Sequence, residues 1–246
     1  MKYTLEICAN SIRSALAAQR GGADRIELCD NMAEGGTTPS AGMIVRCKEL
    51  LSIPVFPIIR PRGGDFLYTS EEFEVMKTDI LKCKELGCEG VVFGILLEDG
   101  SIDTERCREL VELAGPMQVT FHRAFDRCRD MEKGLEDIIA MGCDRLLTSG
   151  GAVTAIDGLV VLKKLVERAA GRISIMPGSG ITGTNLLEIV RESGANEFHS
   201  TASVYVSSKM NFSAPGELSE LDAGVQLKET GEQNVRLMKD LLLNEF

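Results

Sequence analysis

The sequence predicts a (β/α)8 barrel, a TIM barrel, in a single domain. Two observations carry that expectation: a fourfold glycine-led repeat and a length suited to one such barrel. The repeat begins at Gly22-Ala23-Asp24-Arg25-Ile26-Glu27-Leu28. It returns as Gly87-Cys88-Glu89-Gly90-Val91-Val92-Phe93, Gly142-Cys143-Asp144-Arg145-Leu146-Leu147-Thr148 and Gly194-Ala195-Asn196-Glu197-Phe198-His199-Ser200. In each copy a glycine closes a helix-like stretch, then come a small residue, a polar turn residue and a short apolar run. Glycine adopts the left-handed helix cap most cheaply. The copies start 65, 55 and 52 residues apart, enough for a strand–helix–strand–helix unit, and four units give eight strands and eight helices. The 246 residues match the roughly 250 usual for this fold.

Strands are expected near residues 3–8, 25–28, 55–60, 90–95, 117–122, 144–148, 172–176 and 196–200. They are short apolar runs, as suits strands covered on both faces. Ser11 to Arg20 places Ile12, Ala15, Leu16 and Gln19 at helical spacing, and Asp103 to Ala114 sets Cys107, Leu110 and Val111 on one stripe. Glu232 to Phe246, with Val235, Leu237, Met238, Leu241 and Leu242 apolar, reads as the last barrel helix. No linker splits the chain. The longest irregular stretch runs from about Val204 to Thr230 and contains Ser207-Ser208-Lys209 and Ala214-Pro215-Gly216. A connection that long is usually functional or disordered. Following strand eight, it is expected over the C-terminal mouth.

The composition is 44% hydrophobic, with no apolar run long enough to cross a membrane. Met1-Lys2-Tyr3-Thr4-Leu5-Glu6 lacks the apolar core of a signal peptide, so a cytoplasmic location is expected. The eight cysteines are irregularly spaced and fit reduced thiols better than a disulfide scaffold. A net charge of −10 argues against nucleic acid as a partner.

Chemistry in this fold sits at the C-terminal mouth. Strand one ends Glu6-Ile7-Cys8-Ala9-Asn10 and strand two Glu27-Leu28-Cys29-Asp30-Asn31. Side chains alternate along a strand, so Glu and Cys of each copy share a face. Charge is costly against apolar helices, which assigns that face to the barrel interior. Strand three ends Arg60-Pro61-Arg62-Gly63-Gly64-Asp65, strand five ends His122-Arg123, and strand eight carries His199. Two readings of these charges stand. In one they form buried layers in which arginines neutralise Glu27 and Glu197. In the other Arg60, Arg62, Asp65, Arg123 and His199 hold an anionic ligand, while Glu6, Glu27 or His122 transfers a proton. Ser149-Gly150-Gly151 after strand six and Gly178-Ser179-Gly180 after strand seven extend the second reading. Glycine turns let backbone N–H groups approach a phosphate, and Thr182 or Thr184 is placed to cap the next helix.

No Cys-x-x-Cys occurs, and the histidines are His122 and His199 alone, so a zinc site of familiar spacing is absent. Cys8 and Cys29 are matched on adjacent strands about 4.8 Å apart. That suits two thiolates around Cu(I), or else two small buried hydrophobes. Cys47, Cys83 and Cys107 fall at apolar helix positions. Cys88 and Cys143 fall in the turns at the barrel bottom, and Cys128 lies just past strand five.

Several long segments resemble the CutC family of copper-homeostasis proteins. They are Leu5-Glu6-Ile7-Cys8-Ala9-Asn10-Ser11, Arg25-Ile26-Glu27-Leu28-Cys29, Gly35-Gly36-Thr37-Thr38-Pro39-Ser40 and Ile59-Arg60-Pro61-Arg62-Gly63-Gly64-Asp65-Phe66. Thr120-Phe121-His122-Arg123-Ala124-Phe125-Asp126, Leu147-Thr148-Ser149-Gly150-Gly151 and Pro177-Gly178-Ser179-Gly180-Ile181 belong with them. The resemblance implies a TIM barrel, a cytoplasmic location, a homo-oligomer (dimer or tetramer) and a role in copper tolerance or trafficking. Two functions therefore stand before the structure: a Cu(I)-binding protein using Cys8 and Cys29, or an enzyme or binding protein for a phosphorylated or otherwise anionic small molecule.

Overall fold

A computed structural model describes residues 3–210, 212 and 226–244. Eight parallel strands and their helices alternate along the chain. They run β1 (Thr4–Ala9), α1 (Ile12–Arg20), β2 (Arg25–Leu28), α2 (Ala41–Leu50), β3 (Val55–Pro57), α3 (Ser70–Glu85), β4 (Gly90–Phe93) and α4 (Thr104–Ala114). Then follow β5 (Gln118–Phe121), α5 (Met131–Met141), β6 (Arg145–Thr148), α6 (Leu159–Ala169), β7 (Ser174–Pro177), α7 (Leu186–Ser193) and β8 (Glu197–Ser200). The strands form two four-stranded parallel sheets, ordered β3-β2-β1-β8 and β4-β5-β6-β7. A bridge between Ile58 and Val92 joins β3 to β4, and β7 packs beside β8. The architecture is the (β/α)8 barrel that the repeat predicts.

The repeat has a physical cause in this fold. Gly22, Gly87, Gly142 and Gly194 all have left-handed backbones, with φ of +92°, +72°, +86° and +70°. Only glycine takes that conformation without strain. The polar residue two positions on closes the foot of a neighbouring strand. The Asp24 carboxylate accepts from Leu5 N at 2.8 Å, Glu89 from Val55 N at 2.9 Å and Asp144 from Val119 N at 2.8 Å. In the fourth copy the Asn196 carbonyl accepts from Thr4 N at 2.9 Å. Each repeat thus reverses the chain and satisfies a strand N–H that would otherwise be lost.

Helix starts follow the expected capping chemistry. Ser11 caps α1 by accepting from Ser14 N, and Asp103 caps α4 by accepting from Arg106 N. Thr69 and Glu72 form a reciprocal capping box at α3. The core lies between the strands' outer faces and the helices, and includes Leu5, Ile7, Ile26, Leu28, Phe93, Phe121 and Phe198.

The stretch from 204 to 230 departs from the irregular reading at both ends. Ser203–Ser207 (β9) and Gln226–Thr230 (β10) pair as an antiparallel ribbon. Val204, Tyr205 and Val206 are consecutive β-branched and aromatic residues, which is a strand signal. Residues 211 and 213–225 lie outside the described residues. The ribbon leans on the mouth: Asn10 Nδ2 donates to Lys228 O at 3.3 Å and Thr230 N to Ser14 Oγ at 3.0 Å. It leads into α8 (Glu232–Asn244), whose Val235, Met238 and Leu242 are buried. No helix among the described residues is long and apolar enough to cross a membrane.

Candidate functional site

The barrel interior is charged in two tiers. In the lower tier Arg25 pairs with Glu6 and Glu197, and Arg145 Nε lies 2.6 Å from Glu197. Both guanidinium groups stack on Phe56, at 5.4 and 5.6 Å from its ring centre. Gly90 makes room for that ring, since a Cβ there would lie 2.4 Å from it. Burial opposes the charge on Arg25, but Glu6 and Glu197 outweigh it and raise its pKa. Burial likewise opposes ionisation of Glu197, and the two arginines outweigh it. This tier answers to the buried-network reading of the sequence. It also relocates Glu6, expected as a proton-transfer group: Glu6 is fully buried, tied to Arg25, and off the cavity lining.

The upper tier is different. Glu27 pairs with His199, Oε2 to Nε2 at 2.8 Å, rather than with an arginine. His199 Nε2 also lies 3.9 Å from Glu6 Oε1, which has no hydrogen-bond partner among the described residues. Burial opposes the imidazolium, yet Glu27, Cys8 and Glu6 outweigh it and raise His199 well above its ordinary value. Glu27 falls below its ordinary value for the reciprocal reason.

Beside this pair, Cys8 Sγ and Cys29 Sγ approach to 3.3 Å. They project inward from neighbouring strands whose register sets Cys8 against Glu27. Met32, on a short 3-10 turn after β2, brings its Sδ to 3.5 Å from Cys8 Sγ. The left-handed backbone of Asn31, φ +45°, turns the chain at this point. Sγ of Cys8, Sγ of Cys29 and a Glu27 oxygen lie within 4.8 Å of one another, and all three residues are buried. The hydrogen bond to Cys8, followed by burial, raises Cys29 well above its ordinary value, so that thiol is protonated at neutral pH. Two thiols and a thioether make a soft donor set suited to Cu(I).

A cavity of about 640 Å³ opens above these groups, with Cys8, Glu27, Met32, Arg60, His122 and His199 among its lining residues. Ser179 and Gly180 form part of another wall. Gly178 is off the lining and serves packing: a Cβ there would sit 2.4 Å from Leu147 and 3.3 Å from His199.

The phosphate role expected of Ser149, Gly150 and Gly151 is corrected by the structure. The Asp126 carboxylate already fills that turn, accepting from Ser149 N and Gly151 N at 3.0 Å and from Thr148 Oγ1 at 2.5 Å. Arg123 is held by the same carboxylate, with Nε 2.7 Å from Asp126 Oδ2. Arg62 and Asp65 also leave the ligand set. Arg62 bonds Asp65 at 2.9 Å and Glu72 at 2.6 Å, pinning the β3–α3 loop, and neither Arg62 nor Asp65 lines the cavity. Arg60 does line it, with its Nη groups donating to the carbonyls of Glu34, Gly36 and Gly64. His122 is buried, and burial, reinforced by Arg60, lowers it to about 4.

Sequence reasoning missed Met32 and the Asp126 clasp. Met32 follows Cys29 by three residues, a spacing with no established meaning in a loop. The other cysteines fall as expected: Cys47, Cys83, Cys88, Cys107 and Cys143 are buried away from the cavity, and Cys128 is half-buried against the core.

The CutC family model matches residues 3–204. The chain is 51% identical over 210 residues to the copper homeostasis protein cutC homolog of Homo sapiens, covering 85% of this chain and 77% of that one. It is 48% identical over 245 residues to the CutC protein of Chromobacterium violaceum, covering 98% and 99%. Among solved structures, a CutC protein from Streptococcus agalactiae matches with a TM-score of 0.78 and 37% identity, over 81% of this chain and 98% of that one. An aldolase at 13% identity and a TM-score of 0.62 shares the fold alone. From the soft donor set at the mouth to the matched residues 3–204, sequence and structure agree that this chain belongs to the CutC family.

Proposed function

We propose that the protein handles Cu(I) as cargo in copper homeostasis, holding the ion between Cys8 and Cys29 with Met32 as a third sulfur. The carrying observation is the 3.3 Å approach of the two thiols beside the Met32 thioether. Soft sulfur ligands select Cu(I) over the harder divalent ions. The names of the human and mouse relatives, copper homeostasis proteins, support the same assignment. Ion entry replaces the thiol protons, so binding releases protons and tightens as pH rises. A small apolar cluster of Phe56, Ile58 and Val92 packs with the two thiols. The location is cytoplasmic, where thiols stay reduced, and the working form is a homo-oligomer.

Anaerobic titration of the reduced protein with Cu(I), against a competing chromogenic chelator, tests this reading. One ion per chain is expected, lost in the Cys8→Ser/Cys29→Ser double variant. Equal binding in the folded double variant refutes the site.

A further inference from the structure

The cavity above the thiols carries a positive charge and an unused donor that copper does not explain. Arg60 is 3% exposed, and its Nη groups donate to the backbone carbonyls of Glu34, Gly36 and Gly64, at 2.7, 2.8 and 2.9 Å. None is a carboxylate, and among the described residues its Nε has no partner. Carbonyl dipoles alone leave a buried cation without a directly bonded counter-charge. His122 is 4% exposed, and its Nδ1 accepts from Ala124 N at 3.3 Å. The ring proton therefore sits on Nε2, and that N–H has no acceptor among the described residues. Both side chains pack on the Phe66 ring, each at 4.9 Å, and all three residues line the cavity. The neighbouring charges are already matched, Glu27 with His199 and Asp126 with Arg123. Lys228, which also lines the cavity, adds a further positive charge.

We propose that the cavity binds a small carboxylate-bearing organic molecule whose carboxylate accepts from His122 Nε2 and is neutralised by Arg60. A volume of about 640 Å³ is that of a small-molecule site. The glycine turn after β6 is occupied by Asp126, and on the Arg60 side the cavity offers one neutral N–H and one guanidinium, a pair that matches the two oxygens of a carboxylate. This site is independent of copper, because none of its donors is a sulfur.

The test uses reduced, metal-free protein, so its outcome does not depend on the Cu(I) site. Thermal shift and calorimetry are run with acetate, benzoate, succinate and 2-oxoglutarate, and with inorganic phosphate for contrast. At least one carboxylate is expected to raise the Tm and bind saturably. His122→Phe keeps the ring and removes the donor, and is expected to weaken binding about ten- to a hundredfold, the size of one hydrogen bond to a charged group. In parallel, the histidine ring nitrogens of the wild-type protein are followed by NMR, which needs no variant to fold. The Nε2–H of His122 is expected to shift as the carboxylate binds. Absence of binding by every carboxylate, preference for phosphate, undiminished affinity in His122→Phe, or an unmoved Nε2–H each overturns the proposal.

Discussion

Asp126 Oδ1 accepts the Gly151 N–H at 3.0 Å, so the carboxylate of one loop occupies the turn where an external anion would bind. The same group holds Ser149 N, Thr148 Oγ1 and Arg123 Nε. It thereby ties the segment after β5 to the end of β6. Removing it leaves the half-exposed Arg123 guanidinium and several buried donors without an acceptor. Asp126→Ala is expected to lower stability by about 2–4 kcal/mol, read as a shift of the urea midpoint.

Arg25 and Arg145 both lie against the Phe56 ring, and Gly90 lies against its edge. A new methyl group at position 90 would push on a ring already held by two guanidinium groups. Gly90→Ala is therefore expected to cost about 3 kcal/mol, and Phe56→Leu in the same chain should recover part of the loss. A double-mutant cycle by chemical denaturation measures that coupling.

His122 and His199 set opposite limits on the pH range of stability. The folded ring of His122 resists protonation down to about 4, whereas the unfolded ring takes up a proton near 6.5. Its contribution is intact above about 6.5 and falls as the pH drops toward 4, by roughly 3 kcal/mol. His199 is raised well above its ordinary value by Glu27 and its neighbours. Its contribution is complete below about 6.5 and is lost as pH rises through the folded value. Stability is expected to peak between the two limits, and His122→Phe should flatten the acid side only. Urea midpoints across pH 4 to 9 check both arms.

Met32 tests whether the thioether is a ligand or only a neighbour. Met32→Leu preserves volume and costs less than about 1.5 kcal/mol in the metal-free protein. Cu(I) affinity is expected to fall about tenfold by chelator competition, in line with the loss of one soft ligand. Unchanged affinity would leave the ion to the two thiols.

The barrel was legible because its repeat is enforced by backbone chemistry. Gly22, Gly87, Gly142 and Gly194 need positive φ, and Asp24, Glu89 and Asp144 answer strand N–H groups. The inward face of Glu6, Cys8, Glu27 and Cys29 followed from strand alternation. What was hidden is which charges neutralise which. Glu6 with Arg25 depends on the register of β1 against β2, and Glu27 with His199 on strands 172 residues apart in sequence. The glycine turn at Gly150-Gly151 looked free because its acceptor, Asp126, comes from another loop. The ribbon strand Ser203–Ser207 carried its own run of β-branched and aromatic residues, but the glycine- and proline-bearing residues beyond it dominated the reading.

X-ray absorption at the copper edge of anaerobically Cu(I)-loaded protein tests the central claim most directly. Cys8, Cys29 and Met32 predict a coordination shell of sulfur alone, lost in the Cys8→Ser/Cys29→Ser variant. A shell dominated by nitrogen or oxygen, or one unchanged in that variant, contradicts the assignment of the ion to the paired thiols.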